Sequence, residues 1–415
     1  MKEYIKIAWR NLWRNKRRTL ITVASIFFAI FLALIMRSMQ LGSYDMMVNN
    51  SVKTSTGYIQ VHQKGYWDDK TINNTFELTD TLEKKISKTE NISLAVPRIE
   101  SFALASFEKM TIEDTSNQTK GAAVIGTRLK TEDKLIDLKG KVAEGEFFTG
   151  PDDGVLIAAG LADYLNIGVN DSLVLLGQGY HGVTASGLFP VRGIIEMLTP
   201  DMNNTLIYMS LERAQELYGA YGRATSYSFM LEDPDNIETT RDKLAEISPG
   251  NLEVMTWDQM LTELVQQIES DNISGIFMLG ILYLVVGFGI LGTIIMMTME
   301  RKREYGIMVA VGMRKYKLNI ILFIETFVIT VLGILSGALA SIPVIIYFRE
   351  NPIRLTGEAA EAMLEFNIEP ILPFLLEPGF YLNQGITVLI IAFLAFLYPL
   401  KTISGMKVVN AIKGK

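Results

Sequence analysis

The chain has 415 residues, 49% of them apolar, no cysteine, two histidines and a formal net charge of −6. Without cysteine there is no disulfide framework, thiolate metal site or thioether-linked lipid, and His62 and His181 alone do not make a histidine-rich metal centre. The acidic balance argues against nucleic acid as the main partner, and four long windows nearly free of charge exclude both a plain soluble globule and a disordered chain.

Residues 1–18 read as a cytoplasmic interfacial amphipathic helix. Ile5, Trp9, Leu12 and Trp13 share one helical face and basic residues surround them, a composition that lies in the headgroup plane. The same bases also act as plain topogenic charge, and the two readings are compatible. The apolar window Thr19–Met36 opens the first transmembrane span, residues 19–41. A basic stretch before an apolar one also describes a signal peptide, but this apolar stretch exceeds the usual length and lacks a clear cleavage point.

Residues 42–272 form a large extracytoplasmic α+β domain. Strand signals fall at Gly57–Val61, Ser101–Phe107, Ala122–Gly126, Val155–Ala158, Leu173–Leu176, Val191–Ile195 and Thr205–Tyr208. Leu211–Tyr218 and Ile237–Ile247 have the spacing of amphipathic helices. A second lobe is inserted over about 109–204, from the polar run Glu113–Lys120 to the turn Pro200–Asn204. Apolar stripes at Leu41, Tyr44, Val48 and Val52, and at Leu261, Leu264, Val265 and Ile268, predict two helical stalks running into the membrane. Stiff stalks can carry a displacement outward; the alternative is that they merely tether the domain.

Three further spans follow at 273–298, 318–348 and 383–401, each near the ~20 residues a helix needs to cross the hydrocarbon layer. They are separated by a cytoplasmic coupling segment, 299–317, and an extracytoplasmic loop, 349–382, and a cytoplasmic tail, 402–415, closes the chain. Residues 1–18, 299–318 and 401–415 together hold 17 bases against three acids, whereas 42–272 holds 19 bases and 35 acids. By the positive-inside rule both termini are cytoplasmic.

The coupling segment Glu300–Lys317 carries Ile307, Met308, Val309 and Val311 where solvent favours polar residues, which points to docking against another protein. Gly306 and Gly312 permit a turn or close approach there. Gly280, Gly287, Gly289 and Gly292 in span two, and Gly333 and Gly337 in span three, make small faces that suit packing within the chain or between subunits. Glu325 is the one acid inside a span, read as a packing anchor in preference to a proton relay, because no span offers it a His, Lys or second acid. Arg37, at the outer end of span one, can snorkel. The sequence has no GxxxxGK[ST] loop, HExxH or GxSxG, so no catalytic residue and no cofactor is expected in this chain.

The opening AWRNLWRNKRRTLITVASI (Ala8–Ile26), ERKREYGIMVAVGM (Glu300–Met313) with FIET (Phe323–Thr326), and the closing YPLKTISGMKVVNAIKG (Tyr398–Gly414) resemble FtsX/MacB-type permeases of ABC transporters. GYIQVH (Gly57–His62) and DDGVLIAAGLADYLNIGVNDSLVLL (Asp152–Leu176) resemble the lipoprotein-releasing LolC/LolE group. The resemblance implies a mechanotransmission subunit of the bacterial inner membrane. It would pair with a second permease chain, identical or paralogous, and dock ATPase subunits that bind the ATP and Mg. The docking element would comprise Glu304, Gly306, Ala310, Gly312 and Met313. The outer region would form a porter-like lobe over 56–108 and 205–257 with the insertion as second lobe. Lipoprotein cargo, passed to a periplasmic carrier, would enter from the membrane lipids past Met36, Arg37, Met39, Ile276 and Leu279. The loop Arg349–Leu382 is longer and more proline-rich than expected for that group, and its Ile371, Leu372, Phe374 and Leu375 are placed to touch the outer leaflet. MacB-like efflux through an adaptor and FtsX-like activation of a cell-wall hydrolase are the alternatives.

Overall fold

The computed structural model describes residues 2–14, 16–107, 118–148, 152–197, 199–365 and 370–407. Most of the polar run Glu113–Lys120, where the insertion was expected to begin, and residues 408–414 of the closing motif lie outside them. The chain divides into two compact units, one of Met1–Asp45, Gln267–Arg354 and Ile371–Lys415, the other of Met46–Gln266 and Leu355–Pro370.

In chain order, α1 (Lys2–Arg14) precedes α2 (Lys16–Ser51), which passes into a π-helical turn at Val52–Thr56. Next come β1 (Ile59–Gln63), β2 (Phe76–Glu77), α3 (Asp80–Ile86), β3 (Ile92–Phe107), β4 (Gln118–Thr127) and α4 (Leu129–Ile136). They lead to β5 (Val142–Gly145), β6 (Val155–Ala158), α5 (Ala159–Leu165), β7 (Ser172–Gln178), β8 (Thr184–Ile195), α6 (Pro200–Thr205) and β9 (Leu206–Ser210). After α7 (Leu211–Leu217) follow β10 (Arg223–Ala224), β11 (Ser226–Leu231), α8 (Ile237–Ile247), β12 (Leu252–Thr256) and α9 (Trp257–Met260). The rest comprises α10 (Thr262–Glu300), α11 (Lys302–Ala310), α12 (Lys315–Glu350), β13 (Ile353–Arg354), α13 (Glu358–Glu365), β14 (Ile371–Leu372) and α14 (Pro378–Ser404).

The αβ unit is built on β3. On one side the antiparallel order β12-β1-β11-β3, with α3 after β1 and α8 after β11, gives a split β-α-β arrangement. Its core joins Ile59, Val61, Phe229 and Leu252 to Leu82 and Ile86 of α3 and Leu244 of α8. α3 starts where a polar side chain takes up a free N–H group: the Thr79 hydroxyl accepts from Leu82 N at 3.3 Å. On the other side the pairings β3–β4, β4–β9, β9–β6, β6–β8, β8–β7 and β7–β3 close a six-stranded ring. The alternation along these strands sends Ala105, Val124, Ile157, Leu175, Phe189 and Ile207 to one core with Leu161 and Leu165 of α5. β9 thus stands in the ring beside the strands of the insertion expected over about 109–204, and β3 serves both sheets.

In the other unit, α2, α10, α12 and α14 are the four helices among the described residues that are long and apolar enough to cross a membrane. Ile26, Ile30 and Leu34 of α2 pack with Val286, Ile290 and Ile294 of α10, Ile329 of α12 and Val388 of α14. The expected small face on α12 lies against α2: a Cβ on Gly333 would stand 2.6 Å from Ile26 Cβ, and one on Gly337 2.7 Å from Phe27 O. The close approach of two backbones therefore explains this GxxxG spacing within one chain. Gly280, Gly289 and Gly292 of α10 instead face open space.

Candidate functional site

The coupling segment is a helix, α11, set off from α10 by one non-helical residue, Arg301, at φ −94° and ψ 2°. Below it lies a small apolar cluster of Tyr305, Leu318, Leu322, Phe396, Ile403 and Met406, against which Met308, Val309 and Met313 pack. Burying that side leaves Ile307, Ala310, Val311 and Gly312 exposed, with Val311 at 84%. Gly312, at φ +108°, turns the chain from α11 into α12 in a conformation that favours glycine.

The expected docking residues therefore separate. Ala310 and Gly312 are exposed, Gly306 is on the buried side of α11, and Met313 is half-buried. The two oxygens of Glu304 accept from Arg14 Nη2 of α1 at 2.9 and 2.7 Å, so this carboxylate faces α1. The hydrogen bond from Arg14 holds the Glu304 carboxyl below the usual carboxylate range, with the Arg14 and Arg301 charges adding to it against partial burial.

Behind this pair stands Glu325 of α12, 2% exposed. Its Oε1 accepts from Asn11 Nδ2 at 2.7 Å, and its Oε2 accepts from Arg301 Nη1 at 2.9 Å. Arg301 Nε also lies 3.5 Å from Glu304. Asn11 and Arg14 are one turn apart on α1, and Arg301 and Glu304 are one turn apart on the coupling segment. Two polar rungs thus join α1, α11 and α12. The partner that no span supplied to Glu325 comes from outside the spans. Clefts of 330 and 300 Å³ flank this ladder, the first lined by Ile7, Tyr305, Met308 and Leu322, the second by Arg18, Met297 and Glu300.

On α2, Arg37 donates to Gln40 Oε1 at 2.8 Å and to Asn272 Oδ1 of α10 at 2.6 Å and lies over the Phe380 ring of α14. Tyr44 donates to Asp271 at 2.5 Å. Arg37 is therefore tied across to α10 and α14. Of the other residues expected at a cargo portal, Met36 and Ile276 are exposed, Met39 is half-buried and Leu279 is buried. The loop expected at the outer leaflet turns inward at Phe374, which is buried and stacks on Phe348. Leu375 and Ser38 of α2 exchange two hydrogen bonds, Leu375 N to Ser38 O at 3.0 Å and Ser38 Oγ to Leu375 O at 2.7 Å.

Sequence reading also missed a joint in the αβ unit. Arg98 of β3 and Glu132 of α4 are both fully buried and meet bidentately, Nη2 to Oε1 at 2.6 Å and Nε to Oε2 at 3.1 Å. Arg98 Nη1 donates to Ser55 O of the π-helical turn at 2.7 Å, and Thr127 donates to Glu132 at 3.1 Å. Burial alone would lower the guanidinium pKa, but the Glu132 and Glu100 carboxylates outweigh it and raise it. On the outside of the strand ring Phe102, Leu104, Val174, Leu176 and Leu188 are exposed, with Leu104 paired to Leu176 and Val174 to Leu188.

Residues 276–408 match the family model for the FtsX-like permease C-terminal region. No curated protein matches the chain in sequence. Among solved structures, the extracellular domain of the noncanonic ABC-type transporter YknZ from Gram-positive bacteria is 12% identical, covers 48% of this chain and 99% of its own, and superposes with a TM-score of 0.35. The periplasmic region of MacB from Actinobacillus actinomycetemcomitans is 15% identical over 53% of this chain and 95% of its own, also with a TM-score of 0.35. Both likenesses are too weak to carry fold or function. The family match covers α10 from Ile276, the coupling helix, α12 and α14, and over these residues the chain is similar to the C-terminal region of FtsX-like permeases.

Proposed function

We propose that the chain couples ATP hydrolysis by a separate ATPase to conformational change of its αβ unit on the far side of the bacterial inner membrane, so as to extract lipoproteins or other lipidated cargo from the outer leaflet. The chain does no catalysis itself; ATP and Mg belong to the partner, and a second permease chain completes the complex. The observation that carries this reading is α11, a short helix between two spans that buries Tyr305 and presents Ile307 and Val311 to solvent among bases. The cytoplasmic side is assigned to it by the surplus of Lys and Arg there. The lipidated cargo is supported by the motifs at Gly57–His62 and Asp152–Leu176, and by the uncharged apolar surface on the strand ring.

Val311→Asp tests the docking assignment. The ATPase is expected to be lost from the purified complex while the protein still inserts in the membrane; co-purification at the parent level removes the assignment. Mass spectrometry of the native complex tests the cargo. Lipoproteins or a lipoprotein carrier support the reading, whereas an efflux adaptor or a cell-wall hydrolase replaces it.

A further inference from the structure

We propose that Glu325 is a positioning residue that sets the angle of the coupling helix. The break between α10 and α11 is Arg301 alone, whose backbone leaves the helical region at that residue. The side chain of this hinge residue is the one Glu325 holds, with Nη1 2.9 Å from Oε2 and 3.1 Å from Oε1. Asn11 takes the remaining approach to Oε1 at 2.7 Å, so α1 is fixed to the same carboxylate. A carboxylate inside a membrane-spanning helix is costly to keep, and this one is retained at the single level where a span, the hinge and the interfacial helix meet. Tyr305 and Met308 seat α11 on its apolar cluster, but at the level of the polar rungs packing is incomplete, with clefts of 330 and 300 Å³ beside them. A directional ion pair therefore does what interlocked side chains do elsewhere in this unit, and it leaves α11 room to swing when the pair is strained. For transport the consequence rests on the reading of α11 as the docking element: a push on α11 reaches α12 through Glu325 and α1 through Asn11.

The test needs no ATPase, so its outcome is separate from that of the docking assignment. The chain has no cysteine, and paired labels can be placed uniquely. Spin labels at Lys6→Cys on α1 and Arg303→Cys on α11, both exposed positions, report the angle in the full chain reconstituted in phospholipid nanodiscs. A control pair at Phe28→Cys and Leu339→Cys reports α2 against α12. The distance distribution between α1 and α11 is expected to be narrow in the parent, at least twice as wide in Glu325→Gln, and narrow again when Glu325→Arg is combined with Arg301→Glu. The control distribution is expected to stay unchanged in Glu325→Gln. An α1–α11 distribution unaltered by Glu325→Gln overturns the proposal. So does equal broadening of the control pair, which would make Glu325 a general packing anchor.

Discussion

Among the described residues each unit has an arginine–glutamate joint with a buried carboxylate, and the two differ in what surrounds them. Arg98–Glu132 in the αβ unit is sealed: both side chains are fully buried, the pairing is bidentate, and Thr127 and the Ser55 carbonyl add further hydrogen bonds. Arg301–Glu325 is closed on the carboxylate side only. Its arginine is partly open, shares itself with Glu304, and stands between two clefts. Buried charge of the first kind fixes one arrangement, because a displaced partner would leave an ion stranded in low dielectric. The second kind can tolerate movement, since solvent and a second carboxylate stand ready. The comparison separates a rigid joint from a yielding one, although both have the same chemistry.

The largest effect is expected at the sealed joint. Arg98→Met strands Glu132 and should destabilise the αβ unit by about 3–5 kcal/mol in thermal unfolding, whereas the double replacement with Glu132→Met should recover much of that loss. Equal stability of single and double variants would mean that the pair is not coupled. Next comes Gly333→Val, which forces α12 away from Ile26 and should cost about 1–3 kcal/mol, while Gly289→Val, facing open space, should unfold like the parent.

A smaller effect depends on pH. His62 is buried with its Nε2 unpartnered, and burial pushes its imidazole pKa below 6.5. Between that lowered value and 6.5 the unfolded chain carries a proton that the native chain does not, so stability should fall as the pH falls through this window. His62→Gln should flatten that slope, and an unchanged slope would assign it to other groups. The smallest effect is expected for Arg14→Gln, at about 0–1 kcal/mol, because the pair with Glu304 is exposed. Since the Glu304 pKa is depressed, the contribution exists at neutral pH and is lost as pH falls through the folded value, so parent and variant should converge in acid.

The membrane spans were legible because charge is excluded from them, a signal spread over some twenty residues that no single substitution hides. The coupling segment was legible for the opposite reason, apolar residues among charges, but which of them face out was not. Tyr305 anchors the buried side of α11, and Gly306 goes under with it. The strand ring was only partly legible: for β3 the sequence shows a strand signal at Ser101–Phe107 alone, whereas the strand begins at Ile92, its first half hidden because Pro97, Arg98 and Glu100 interrupt the apolar pattern. The partners of Glu325 and Arg37 were hidden by distance along the chain. Asn11 lies 314 positions from Glu325, and Asn272 lies 235 from Arg37, and neither carries a charge that would flag it.

The central claim, that nucleotide bound by a partner is felt in the αβ unit, is tested most directly by one distance. Labels at Val48→Cys of α2 and Leu264→Cys of α10 should be placed in the purified complex with its ATPase, with and without a non-hydrolysable ATP analogue. The account predicts that the distance distribution shifts on nucleotide binding and returns when the nucleotide is removed. A distribution indifferent to nucleotide, in a complex that still hydrolyses ATP, would contradict it.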